Sequence, residues 1–146
     1  MRIEPLTEQH AQEIAAWRYD FPYEWYDTAS DPRRVDLFAN PARRDGLRAV
    51  IADDDGALIG FWNFVRVGDE VRVGLGIRPD LTGQGLGQQF IEAGLGYARE
   101  EWSPKRFRLW VAWWNERALR AYRRAGFEEV SEGEGESRFV EMERRA

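Results

Sequence analysis

From Thr82 to Gly87 the chain reads Thr-Gly-Gln-Gly-Leu-Gly, and Leu86, Phe90, Gly94, Tyr97 and Ala98 then recur at helical spacing. Glycines at a helix start expose amide N–H groups that have no intrahelical partner, and the helix dipole favours negative charge there. Thr82, Gly83, Gln84, Gly85, Leu86, Gly87 and Gln88 therefore suit a phosphate or pyrophosphate held by main chain rather than by a lysine. A tight packing turn is the other use of such glycines. A P-loop requires Gly-Lys-Ser/Thr after its spacer, and a dinucleotide fold requires Gly-x-Gly-x-x-Gly near a first strand. Neither pattern is present.

The stretch just upstream, Val71 to Ile77, alternates as a strand does, with Val71, Val73, Leu75 and Ile77 on one face and Arg72, Gly74 and Gly76 on the other. Two glycines leave that second face bare, the condition under which another backbone or a ligand can lie along a strand. Glu70 stands just before it. Further upstream, Tyr19 to Asp27 is aromatic and acidic, and Glu24, Trp25, Tyr26 and Asp27 are the types that wall a cationic amine or form a small packing cluster.

These residues need elements to position them. Arg2 to Leu6 reads as a strand, and Thr7 caps a helix with Ala11, Ile14 and Ala15 on one face, His10 lying in its first turn at the surface. Ser30-Asp31-Pro32 opens a short second helix that ends at Asn40-Pro41. Leu47 to Ala52 and Ala57 to Val67 are strands joined by Asp53-Asp54-Asp55-Gly56, a hairpin turn that lacks the ligand spacing of a calcium loop. With the glycine-bearing strand they form an antiparallel meander. A third helix runs from about Gly85 to Trp102 and leads to a strand from Phe107 to Ala112, parallel to the strand before the helix. Asn115 caps a fourth helix ending at Gly126, with Ala118, Tyr122 and Ala125 on one face. Strands at Phe127 to Val130 and Phe139 to Met142 follow, separated by a glutamate-rich loop from Ser131 to Ser137.

With 146 residues, 43% of them hydrophobic, the chain has the size of one domain with a sizeable core. It has no cysteine and one histidine, which excludes disulfides, a cysteine nucleophile and histidine-rich metal sites. No metal is expected. A net charge of −5 argues against a nucleic-acid surface. No run approaches the roughly 18 apolar residues of a membrane span, and the start lacks a signal-peptide core, so the expectation is a cytoplasmic protein without membrane partners.

The order of elements, the Thr82–Gly87 loop and the pattern Asn115, Ala118, Tyr122, Gly126-Phe127 together resemble the GNAT superfamily of N-acetyltransferases, over nearly the whole chain. The resemblance implies a single α/β (α+β) domain over 1–146. Its central sheet of about seven strands is mixed and mostly antiparallel, flanked by four helices and splayed between the fourth and fifth strands. It also implies that acetyl-CoA donates an acetyl group to an amine by direct attack. Amides from Thr82 to Gln88 then hold the pyrophosphate, backbone near Leu75, Gly76 and Ile77 pairs with the pantetheine arm, and Asn115 hydrogen-bonds that arm. Tyr122 O–H serves as general acid toward the departing thiolate.

Two positions depart from the family. Thr82 stands where it prefers arginine or glutamine, and Val71 to Ile77 contains no glutamate where many members place a base. Glu70, Glu24, Asp27 or a water relay can fill that role. Trp62 and Trp110, like Trp113, either pack in their strands or face the acceptor. A non-catalytic acyl-CoA binding or sensing module of the same fold is the alternative. The acceptor is expected to be a small-molecule or peptide amine, the acidic aromatic segment favouring a cationic one. Strand edges near the C-terminus either pair two copies into a homodimer or are covered within one chain.

Overall fold

The computed structural model describes residues 1–131 and 138–146; most of the expected glutamate-rich loop lies outside the described residues. Seven strands and four α-helices follow in the order β1 (Arg2–Pro5), α1 (Glu8–Ala16), α2 (Pro32–Ala39), β2 (Leu47–Ile51), β3 (Leu58–Val67), β4 (Glu70–Ile77), α3 (Gly87–Trp102), β5 (Arg106–Ala112), α4 (Glu116–Arg124), β6 (Glu128–Ser131) and β7 (Phe139–Arg145). Short 3-10 turns lie at Tyr23–Tyr26, Thr28–Ser30, Pro41–Gly46 and Pro79–Leu81.

The strands form one sheet in the order β1-β2-β3-β4-β5-β7-β6. Its β1–β2, β2–β3, β5–β7 and β6–β7 pairs are antiparallel, and β4–β5 is parallel. This is the mixed, mostly antiparallel sheet that the sequence predicts. The two-residue turn Gly68-Asp69 joins β3 to β4, a connection only antiparallel neighbours allow. β7 runs three residues further than its apolar pattern suggests, because the whole of β5 pairs with it, from Arg106↔Arg145 to Ala112↔Phe139.

The chain folds as two compact units, and β3 and β4 pass from one to the other. Unit 1 comprises Met1–Asn63 and Leu75–Gln84. Its core gathers Ile14 and Trp17 around α1, Phe38 of α2, Leu47 and Ala49 of β2, and Leu58 of β3. Thr7 begins α1 by a reciprocal cap: its hydroxyl accepts from His10 N–H, and His10 Nδ1 accepts from Thr7 N–H, each at 3.1 Å. Asp31 caps α2 by accepting from Arg33 N–H, with Pro32 at the first helical position. At the β2–β3 turn Gly56 has φ +70°, the left-handed conformation that the Asp-Gly pair predicts.

Unit 2 comprises Phe64–Gly74 and Gly85–Ala146. β5 alternates buried Phe107, Leu109 and Val111 with outward Arg106, Arg108 and Trp110, so one face of the strand belongs to the core. On the core side the Phe64 ring stacks on Tyr97 at 5.8 Å and meets Trp102 at 5.3 Å, which seats α3. α3 closes at Ser103, which has φ +46° and donates its N–H to Arg99 O.

Candidate active site

The glycine loop has the form of an anion cradle. Gly83 and Gly85 take φ +74° and +80°, conformations open mainly to glycine, and α3 begins only at Gly87, two residues later than its periodicity suggests. Left-handed residues alternating with ordinary ones turn successive N–H groups toward one side. Leu86, the N-cap of α3, makes no side-chain capping bond, and among the described residues no side chain is seen accepting from the first-turn amides of this 16-residue helix. Thr82 is engaged otherwise: its hydroxyl donates to Pro79 O at 2.8 Å and its N–H reaches the same oxygen at 3.3 Å. Thr82 therefore has its hydroxyl and N–H turned to its own loop.

In unit 1 the end of β4 corrects the picture of a bare strand face. A Cβ placed on Gly76 would lie 2.8 Å from Cζ of Phe61 and nearer still to Cε1. The absent side chain therefore makes room for a ring of this protein rather than for a ligand. Phe61 is held edge-on to Phe38 at 5.1 Å and tilted to Trp17 at 6.4 Å, so it has little freedom to yield. Gly76→Ala is expected to lower stability by about 1–3 kcal/mol, read as a lower midpoint in thermal or urea unfolding. An unchanged midpoint would mean that Phe61 is loosely held. The Ile77 carbonyl is also taken: Tyr19 O–H donates to it at 2.7 Å.

In unit 2 the registered pairs of β4 and β5 run Glu70↔Arg106, Val71↔Phe107 and Arg72↔Arg108 and then stop, short of Val73 and Gly74, although β5 continues to Ala112. This is the expected splay. The start of α3 is joined to α4 by Gln88, whose side-chain amide donates to Ala121 O at 3.0 Å, one residue before Tyr122. Tyr122 is half-buried, its ring edge-on to Phe127 at 5.9 Å. Asn115, 7% exposed, caps α4 by accepting from Ala118 N–H at 3.1 Å. The spacing of Asn115 and Tyr122 therefore reflects two turns of one capped helix.

Glu70 is not a free carboxylate. It is 7% exposed and accepts from Arg72 Nε and Arg108 Nε at 2.9 Å each and from Arg106 Nε at 3.4 Å. Arg108 goes on to Glu141 at 3.1 Å and Glu143 at 2.6 Å, tying β4, β5 and β7 together. Burial pushes the Glu70 carboxyl up, but the hydrogen bonds from Arg72 and Arg108 outweigh it and hold the group below its ordinary value. A carboxylate so held is a poor proton acceptor, and the geometry gives Glu70 a charge-balancing task instead. The network is foreshadowed in the sequence only by arginines alternating with apolar residues in β5.

The aromatic and acidic segment of unit 1 is internally satisfied. Trp25 stands edge-on to Tyr26 at 4.8 Å, and the Arg34 guanidinium lies 4.4 Å from the centre of the Trp25 ring. Arg34 also donates to the carbonyls of Trp25 and Asp27, at 2.5 and 3.3 Å. The Asp27 carboxylate is buried and accepts from Tyr19 N–H at 2.8 Å, while Glu24 is exposed. Trp62, 1% exposed, is a core residue with no surface to offer an acceptor. Trp110 remains open.

The chain belongs to the Acetyltransferase (GNAT) family, whose sequence pattern matches residues 11–127. Among curated relatives, the mycothiol acetyltransferase of Rhodococcus jostii is 38% identical over 112 residues, 71% of this chain and 35% of that protein. That of Streptomyces coelicolor is 37% identical over 101 residues, 66% of this chain and 30% of that protein. The chain thus spans about a third of the length of the curated relatives it matches. Among solved structures, a chimera of the Vibrio cholerae spermidine N-acetyltransferase SpeG and hSSAT has a TM-score of 0.74 at 20% identity, covering 99% of this chain and 96% of that one. The Campylobacter jejuni N-acetyltransferase PseH in complex with acetyl coenzyme A has a TM-score of 0.68 at 20% identity, covering 99% and 97%. At these identities the likeness is one of fold. Among the described residues no helix is long and apolar enough to cross a membrane.

Proposed function

We propose that this chain is a cytosolic N-acetyltransferase that moves an acetyl group from acetyl-CoA to a primary amine of a small molecule or peptide, with Tyr122 as general acid. The observation that carries the reading is the uncapped start of α3, preceded by left-handed Gly83 and Gly85 and bonded through Gln88 to the helix of Tyr122. The family's acetyl-CoA fits the donors of unit 2: main-chain N–H groups from Gly85 to Gln88 suit a pyrophosphate. When bound, acetyl-CoA supplies the activated acyl carbon. In the net reaction a nitrogen–carbon bond would form and the carbon–sulfur bond break; the sulfur would take its proton from the Tyr122 hydroxyl, and the proton given up by the amine would return through water to the Tyr122 oxygen. Asn115 acts through its cap, which fixes the first turn of α4. With Glu70 neutralised by guanidinium groups, water is the acceptor of the amine's proton.

The test is acceptor-dependent release of thiol from acetyl-CoA, read with a thiol reagent; the chain has no cysteine, so the protein gives no background. Release with one class of amine, lost in Tyr122→Phe, supports the reading. Coenzyme binding with no release across amines, amino acids, peptides and aminoglycosides overturns it in favour of the acyl-CoA sensing module, which the engagement of Glu70 also suits. The cradle has its own test in Gly85→Ala. No atom lies within 4 Å of the added Cβ, so only backbone strain acts. The variant is expected to lose about 1–2 kcal/mol of stability and to show a raised KM for acetyl-CoA, with kcat little changed. An unchanged KM would place the anion elsewhere.

A further inference from the structure

The fork of β4 and β5 carries an open guanidinium edge beside an open indole, on one face of unit 2. Arg72 stands in the last registered pair, opposite Arg108, and its guanidinium carbon lies 5.4 Å from the centre of the Trp110 ring. Both side chains are open to solvent, Arg72 to 43% and the Trp110 residue to 44%. Gly74, two residues beyond Arg72 on the same face, is exposed and adds no side chain.

The carboxylates around this point already have guanidinium partners. Glu70 accepts from Arg72, Arg106 and Arg108, Glu141 and Glu143 from Arg108, and Asp69 pairs with Arg106 and Lys105. Arg108 is 18% exposed beneath these bonds, and Arg106, though 42% exposed, is divided between Glu70 and Asp69. Arg72 gives only Nε, to Glu70 at 2.9 Å, and among the described residues its Nη1 and Nη2 make no hydrogen bond or ion pair. A guanidinium with one free edge suits a carboxylate, which it meets with two parallel N–H donors, and the indole beside it offers an apolar wall. A polyamine meets the opposite: a guanidinium that presents only donors, and carboxylates that are already engaged. Separately, in unit 1, the Arg34 guanidinium lies over one face of Trp25, a position that a cationic acceptor would otherwise take.

We propose that the amine acceptor carries a carboxylate, which Arg72 receives while Trp110 covers the neighbouring apolar part of the molecule; the acceptor class is the amino acid or acidic peptide rather than the polyamine. This rests on the acetyltransferase reading, which requires the amine to reach the fork.

The test compares thiol release for free amino acids, their α-carboxamides and spermidine, in the wild type, Arg72→Gln and Arg72→Lys. The carboxamide's amine is less basic and more often neutral, so a preference for the acid runs against intrinsic reactivity. The wild type is expected to favour the acid over its carboxamide by about ten-fold or more in kcat/KM, the factor a charge-assisted hydrogen bond supports. Arg72→Gln erases the preference through KM for the acid, with kcat and the KM for acetyl-CoA little changed. Arg72→Lys restores part of it. Equal use of acid and carboxamide, a preference for spermidine, or an intact preference in Arg72→Gln overturns this proposal alone. Absence of thiol release with every acceptor overturns the acetyltransferase reading and this proposal with it.

Discussion

Replacing Tyr122 with phenylalanine lowers kcat for acetyl transfer by about 100-fold or more, the range expected when a positioned acid is removed, while KM for acetyl-CoA stays nearly constant. A phenol is a weaker acid than the thiol it faces, so it donates strongly only as charge builds on the departing sulfur. Its contribution therefore belongs to the transition state and reaches kcat rather than ground-state binding. The fold should tolerate the change. Phenylalanine keeps the ring that meets Phe127, and the main-chain bond from Phe127 N–H to the carbonyl of residue 122 is untouched. Steady-state thiol release and a thermal melt read the two quantities side by side. An unchanged kcat would remove Tyr122 from the chemistry, and a large fall in melting temperature would make its role structural.

The second large effect is expected at Glu70. Glu70→Gln leaves Arg72, Arg106 and Arg108 clustered without the carboxylate that separates them. Removing one partner of a buried ionic cluster costs about 3–5 kcal/mol in the interior, and the partial exposure of Arg72 and Arg106 reduces this to about 2–3 kcal/mol here. In a chain of this length that lowers the melting temperature by about 5–10 °C. The loss depends on pH in a definite sense. The folded carboxyl is held below its ordinary value of 4.5, so its contribution is complete above that pH and fades as pH falls through the folded value. Urea unfolding at a series of pH values should show wild type and variant converging on the acid side and well separated near neutrality. Near pH 8, kcat should stay within a small factor of wild type. A hundred-fold loss of kcat at unchanged stability would instead make Glu70 the base.

Most local decisions were legible in the residues. Thr7, Asp31 and Asn115 announce helix starts, and each caps one. Asp55-Gly56 announces a hairpin and makes it. The conformation of the glycine loop was legible for the same reason: left-handed φ at Gly83 and Gly85 and an uncapped helix start are properties of a few consecutive residues. The order of these elements and two short motifs sufficed for the family, because the motifs depend on spacing within one loop and one helix.

What tertiary structure alone decided lies across strands and between distant segments. Gly76 read as an opening for a ligand, yet the register of the sheet sets Phe61 there, and Tyr19 reaches Ile77 from 58 residues away. Glu70 read as a base, yet β4, β5 and β7 bring arginines to it from positions that no local pattern connects. Trp25 and Asp27 read as a pocket for a cation, yet Arg34 and Tyr19 N–H already satisfy them. Backbone conformation and capping are settled within a few residues, so the sequence by itself determined the elements, the family and the turn of the glycine loop. The partner of a side chain depends on register and packing over the whole sheet, so only the folded chain decided which glycine is covered, which carboxylate is neutralised and which arginine stays open.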